Sequence, residues 1–307
     1  MEGVPHTFRV TWRNSRDQRD RESEPVNITV CTGPSPPGKL NISSVHATSV
    51  CLSWDRPTDM EGVPHTFRVT WRNSRDQRES ITTDENSTVL SHLRPVTEYS
   101  ISVCTVLQNT SRESEPVNIT VCTGPSPPGK LNISSVHATS VRLSWDRPTD
   151  MEGVPHTFRV TWRNSRDQRK SITTDENSSV LSHLRPVTEY TISVCTVLQN
   201  TSRESETVHI TVCTGPSPPG KLNISSVHAT SVRLSWDRPT DMEGVPHTFR
   251  VTWWNSRDQR KSITTDKNPK VLSHLRPGTE YSISVCTVLQ NTGLESEPVN
   301  ISFCTSE

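Results

Sequence analysis

Apolar residues are scarce in this sequence, making up 30% of its 307 residues, a low share for a folded chain. Excess charge is absent too, since 33 basic side chains balance 33 acidic ones. Without a basic excess, nucleic acid is excluded as the main partner, because counterion release from phosphates depends on one. Without net charge, the chain also differs from disordered proteins, which combine low hydrophobicity with high charge. No apolar run exceeds a few residues, so no segment inserts in a bilayer. Catalytic signatures are missing: there is no G-x-S-x-G, P-loop, G-x-G-x-x-G or H-E-x-x-H. His46, His65 and His92 return in later copies, but on separate strands or turns and without metal-ligand spacing. The expectation is a chain with no catalytic residue, no metal and no cofactor.

What the sequence has is repetition. Trp54, Trp145 and Trp236 are 91 residues apart, as are Tyr99, Tyr190 and Tyr281. The units are 34–124, 125–215 and 216–307. The first two differ at six positions: Cys51/Arg142, Glu79/Lys170, Thr88/Ser179, Ser100/Thr191, Pro116/Thr207 and Asn118/His209. The third diverges further, with Trp254 where the second has Arg163. Residues 1–33 are a truncated copy, in which Met1–Arg19 repeats Met60–Arg78 and Arg21–Gly33 repeats Arg112–Gly124. Met1 therefore aligns with an internal methionine, and no basic, apolar and small-residue sequence of a secretory signal follows it. The chain reads as a fragment of something longer.

Within the first unit, apolar and polar residues alternate at Leu40, Ile42; Val50, Leu52, Trp54; Phe67, Val69, Trp71; Tyr99, Ile101, Val103; and Val117, Ile119, Val121. Period-two alternation marks strands with one buried face. Turn signals separate the runs at 55–57, 61–64, 84–86 and 108–110, and no stretch carries a helical stripe. Seven short strands in about 90 residues predict an all-β, two-sheet sandwich. Three marks carry a family resemblance: Ser53-Trp54-Asp55-Arg56-Pro57, Leu93-Arg94-Pro95-Val96-Thr97-Glu98-Tyr99 and Ser114-Glu115-Pro116-Val117. The unit resembles a fibronectin type III domain, and the resemblance covers nearly all of 34–307. It implies a tandem array of seven-stranded, immunoglobulin-like β-sandwiches. It further implies that Trp54, Trp145 and Trp236 fill the cores, while the hydroxyls of Tyr99, Tyr190 and Tyr281 bond back to the backbone. Fragment 1–33 keeps only the third-strand region and the last strand, so it lacks partners for a sandwich and is expected to be poorly ordered.

Alternation turns Cys104 and Cys122 outward on the last two strands. Pairing them gives a register with Thr105 opposite Val121, which predicts the disulfides Cys104–Cys122, Cys195–Cys213 and Cys286–Cys304. Closing a loop of this size stabilises by roughly 3 kcal/mol in the chain-entropy view; free thiols are the alternative. Cys31 has lost its partner to the truncation, and Cys51 stands where later units have arginine.

Ten N-x-S/T sequons occur, at Asn27, Asn41, Asn86, Asn109, Asn118, Asn132, Asn177, Asn200, Asn223 and Asn300. With the cysteine pairing they favour the secretory route and an extracellular location. The most basic feature is Trp71–Arg78, at the turn after the third strand; with Asp76 and Glu79 nearby it reads as a solvated hairpin tip, and contact with a sulfated glycan or an acidic protein face is the alternative. Loops 55–64 and 107–116 are further candidates for recognition. Arg-Gly-Asp and W-S-x-W-S are both absent. Proline-rich joints such as 122–129 stiffen the connection between units. The expectation is a non-enzymatic binding, adhesion and spacer segment of a cell-surface receptor ectodomain, with an extracellular protein or glycan as its ligand. Arrays that resemble it occur in receptor-type tyrosine phosphatases and adhesion receptors; a secreted matrix protein with adhesive or elastic repeats is the alternative.

Overall fold

The computed structural model describes residues 5–11, 23–31, 33–108, 110–257 and 260–307. It is built of antiparallel strands, with two single-turn 3-10 helices at Thr149–Met151 and Thr240–Met242. Two compact units hold them, one around the first sandwich with Thr149–Val154 and Asn200–Glu206 added, the other around the second and third.

The truncated copy contributes β1 (Pro5–Val10) and β2 (Val26–Cys31), which pair with each other with Phe8 opposite Ile28. Their counterparts in a complete repeat are not neighbours, because another strand lies between them. The consequence is exposure: Phe8 is 57% exposed, whereas its counterpart Phe67 is 0% exposed. The remainder of 1–33, apart from 11, 23–25 and 33, lies outside the described residues.

The first repeat has seven strands: β3 (Leu40–Val45), β4 (Val50–Trp54), β5 (His65–Asn73), β6 (Arg78–Thr83), β7 (Ser87–Leu90), β8 (Glu98–Leu107) and β9 (Val117–Cys122). They form a three-stranded sheet in the order β3-β4-β7 and a four-stranded sheet in the order β6-β5-β8-β9. The second repeat follows as β10 (Asn132–Val136), β11 (Val141–Ser144), β12 (His156–Asn164), β13 (Arg169–Thr174), β14 (Ser178–Leu181), β15 (Glu189–Leu198) and β16 (Val208–Cys213). The third comprises β17 (Leu222–Val227), β18 (Ser231–Trp236), β19 (His247–Trp254), β20 (Lys261–Thr265), β21 (Lys270–Ser273), β22 (Glu280–Leu289) and β23 (Val299–Cys304). Both repeat the same two sheets.

Each core is the sum of the inward halves of these alternations. Val50, Leu52, Trp54, Phe67, Val69, Tyr99, Ile101 and Val103 form one buried cluster, with Ile42, Val117 and Ile119 packed against it. Trp54 meets Phe67 edge-on at 5.4 Å, and the same pair recurs as Trp145–Phe158 at 5.5 Å and Trp236–Phe249 at 5.3 Å. Edge-to-face contact suits the ring quadrupoles and adds to the area that each tryptophan buries. The tyrosine hydroxyls accept backbone N–H bonds five residues upstream: from Arg94 at 2.9 Å, Arg185 at 3.0 Å and Arg276 at 3.1 Å. The Thr123 hydroxyl donates to the Arg94 carbonyl at 2.7 Å and accepts from Thr97 N–H at 3.0 Å, tying the end of β9 to that corner. At the corner Val96 and Val187 hold φ of 49° and 48°, a left-handed conformation that a β-branched side chain disfavours; the third repeat has Gly278 there, at 53°.

The cysteine pairing predicted from sequence is overturned. Strand β8 pairs with β9 so that Tyr99, not Thr105, faces Val121, and Cys122 lies opposite Glu98. Cys104 lies opposite Arg68 on the other side of β8. The two cysteines are thus six positions apart along the strand, about 20 Å at the rise of an extended chain, far beyond the reach of a disulfide. The same displacement separates Cys195 from Cys213 and Cys286 from Cys304. None of these six nor Cys51 forms a disulfide; the side chain of Cys31 is outside the described residues. The physical reason is the position of the turn. Leu107 N–H bonds the Arg112 carbonyl at 3.0 Å, and Ser114 N–H bonds the Thr105 carbonyl at 2.9 Å. Residues 113 and 114 therefore occupy the edge of β8 that the predicted register reserved for Cys122.

Cys104 does point to the outer face, but it is buried there. Glu113 folds over it in an ion pair with Arg68, and the Cys104 Sγ lies 3.5 Å from Glu113 Oε2. Burial, reinforced by the Glu113 carboxylate, pushes the Cys104 thiol up to about 11, and burial with Glu295 does the same for Cys286. Cys213 is raised as well, by burial and then by Glu189.

Three outcomes are expected. Non-reducing peptide mapping is expected to show no Cys104–Cys122 type link, and iodoacetamide at pH 8 is expected to modify Cys304 before Cys286. A pKa shifted from 9.0 to about 11 leaves roughly a hundredfold less thiolate, so the lag of Cys286 should shrink as the pH approaches 11. In urea titrations of the full chain, Tyr190→Phe is expected to destabilise the second repeat by about 1–2 kcal/mol, since the Arg185 N–H loses its acceptor.

Candidate interaction surface

The end loops are joined by the backbone. Gln108 N–H bonds the Pro64 carbonyl at 3.3 Å, and Gln199 bonds Pro155 at 3.4 Å, so loop 55–64 and the start of loop 107–116 share one end of the sandwich. Loop 55–64 is itself anchored: Met60 is buried, and Arg56 donates to the Asp84 carbonyl at 2.6 Å with its guanidinium 5.7 Å from the Phe67 ring centre. No cleft with convergent polar groups is formed there among the described residues. The proline-rich segments bond within the repeat that each of them opens. Ser126 donates from its hydroxyl to Asp150 at 2.7 Å, Ser217 to Asp241 at 2.7 Å, and Pro125, Ser126 and Pro128 are buried.

The three recurring histidines are not brought together. His46 pairs with Glu206, and its counterpart His137 lies 3.2 Å from Glu297. His65 sits edge-on to Phe67 at 5.4 Å with Nδ1 against the Val63 carbonyl at 2.6 Å. His92 occupies a turn position at φ 59°. No group of three or more His, Cys, Asp or Glu with metal-holding geometry occurs among the described residues.

The outward side of each four-stranded sheet presents an ordered polar surface. Directly opposed residues of an antiparallel ladder share a face, which gives one row of Arg78, Arg72, Ser100 and Thr120 and a second of Ser80, Thr70, Ser102 and Asn118. The basic Trp71–Arg78 segment thus divides: Trp71 goes inward, Arg72 and Arg78 outward. A tight turn holds the arginines. The Asn73 Oδ1 accepts from Arg75 N–H at 3.0 Å and Gln77 N–H at 3.1 Å, and Asp76 takes φ 58°. In the third repeat, Trp254 stands in the place of Arg72, and Arg260 covers its ring at 4.5 Å.

Asn41, Asn86, Asn118, Asn132, Asn177, Asn200, Asn223 and Asn300 are all exposed, and so is Asn27; Asn109 lies outside the described residues. The placement of Asn118 beside Arg72 is not visible from the strand alternation alone, because it depends on the β8–β9 register.

No helix of the described residues is long and apolar enough to cross a membrane. A family model for the fibronectin type III domain matches residues 35–120, 126–211 and 217–302. The chain is 28% identical over 295 residues to chicken receptor-type tyrosine-protein phosphatase eta, covering 96% of this chain and 20% of that protein. It is 28% identical over 296 residues to chicken tenascin-R, covering 92% of this chain and 21% of that protein. The chain thus spans about one fifth of the length of these relatives. Among solved structures, a segment of two fibronectin type III domains from chicken tenascin is similar at 24% identity and a TM-score of 0.38, covering 59% of this chain and all of that one. With three consecutive family matches over sheets of this order, the chain belongs to the fibronectin type III family.

Proposed function

We propose that this chain is a non-catalytic extracellular segment that spaces and binds, and that it belongs to the ectodomain of a cell-surface receptor. The observation that carries this reading is the uninterrupted succession of three family matches over 35–302, aligned with a receptor-type phosphatase over 96% of the chain. The exposed sequon asparagines support it, since they present acceptors where the secretory pathway adds carbohydrate. Any enzymatic domain of the parent protein would lie outside this chain.

A secreted matrix protein is the second reading, favoured by the alignments to tenascin-R and to rabbit collagen alpha-1(XII), which cover 92% and 88% of the chain. Long-read sequencing of the complete transcript separates the two. A membrane span followed by a cytoplasmic region downstream of Glu307 is the expected result. A secretory signal with a stop codon and no span would establish the matrix reading, and a transcript without any secretory signal would refute both.

A further inference from the structure

The three outward faces are one surface built three times, and they differ at the position that decides access. In the first repeat a shallow depression of about 560 Å³ is lined by Arg72, Arg78, Ser100, Asn118 and Thr120. Asn118-Ile119-Thr120 is a sequon, so carbohydrate added to Asn118 would stand in that depression. In the third repeat Asn300-Ile301-Ser302 is again a sequon, and Trp254 has replaced the arginine. In the second repeat His209 removes the acceptor asparagine while Arg163 and Arg169 are kept. The rows there read Arg169, Arg163, Thr191, Thr211 and Ser171, Thr161, Ser193, His209.

This face has the chemistry of a polyanion site. Arg163 and Arg169 are exposed and have no ion-pair partner among the described residues, whereas Arg72 is 4.0 Å from Asp76. Asn164 fixes the turn by accepting from Arg166 N–H and Gln168 N–H, both at 3.1 Å, so the guanidinium groups are presented from a closed hairpin. At this hairpin Arg163, Arg166 and Arg169 stand against Asp167 alone, and Glu189 flanks the other end, while Lys170 lies opposite inward-facing Trp162. The two further cations of the second repeat stand off this face, Arg142 on β11 of the other sheet and Lys170 beside Trp162, so the rows carry the same charges as those of the first repeat and the difference that decides access is His209. The rows carry hydroxyls rather than an apolar centre, whereas a protein partner would require a buried aromatic or aliphatic anchor. Guanidinium groups bind oxyanions with two parallel hydrogen bonds, and hydroxyls in rows match those of a sugar chain.

We propose that the outward face of the β13-β12-β15-β16 sheet binds a sulfated polysaccharide, and that N-linked carbohydrate on Asn118 and Asn300 closes the same face in the flanking repeats. The shielding rests on the extracellular reading above; the surface itself does not. The test uses the full chain, made once by secretion from mammalian cells and once in bacteria, with heparin as the immobilised probe. The secreted chain is expected to bind at one site and the bacterial chain at two. His209→Asn, which creates Asn-Ile210-Thr211, is expected to lower the affinity of the secreted chain at least tenfold and to leave the bacterial chain unchanged. Arg163→Ser with Arg169→Ser is expected to abolish the single site of the secreted chain and to reduce the bacterial chain from two sites to one. Secreted His209→Asn that carries the new glycan by mass and still binds as the parent does would overturn the proposal. So would full binding by the double arginine variant, or equal competition by desulfated heparin or by polyglutamate, the last pointing to an acidic protein instead. Unmodified Asn118 and Asn300 in the secreted chain would overturn the shielding alone, with the bacterial arginine result still deciding the surface.

Discussion

Everything in each repeat hangs on the pairing of its ten-residue sixth strand, β8, β15 or β22, with the strands on either side. In the first repeat it meets β5 along nine positions and β9 along six. Its inward residues Tyr99, Ile101 and Val103 fill the core, and its outward residues Ser100 and Ser102 build the polar face. One register therefore fixes both the packing and the exposed surface. A slip of one residue would turn each set to the wrong side.

The strands and their inward residues were legible because the alternation is strict, and tryptophan and tyrosine each return at a constant spacing. The register of the last hairpin was legible too, but in a signal of a different kind. Gln108-Asn109-Thr110 marks the turn, and a hairpin centred on residue 110 places Val103 opposite Val117, as found. Pairing the cysteines puts the centre at 113 instead and accounts for their outward direction. The burial of Cys104 had no counterpart in the alternation, because it is produced by Glu113 folding back from the following loop to reach Arg68. The basic hairpin was visible as a run of arginines, yet its neighbourhood with Asn118 was hidden until the register was known.

Loss of the predicted disulfides removes one of the two supports for an extracellular location, and it also removes the cross-link expected to offset a thin core. The cores hold without it through dense aromatic contacts and the tyrosine corner, where a side-chain hydroxyl and the Thr123 hydroxyl satisfy backbone groups that a sandwich turn otherwise leaves unpaired. The proposed extracellular location now rests on family membership and on exposed sequons. Near-identity between repeats makes their shared residues uninformative about role. Information about role lies in the differences, and the substitution of Asn118 by His209 falls on the outward face that carries Arg163 and Arg169.

The most direct test of this register is a nuclear Overhauser experiment on the second repeat within the full chain, where Thr191 and His209 are absent from the corresponding positions of the first and so give distinct signals. Cross-peaks between His209 and Ser193, and between Thr211 and Thr191, are the predicted result. Cross-peaks between Val212 and Thr196 would instead place Cys195 beside Cys213 and contradict both the free thiols and the arrangement of the polar face.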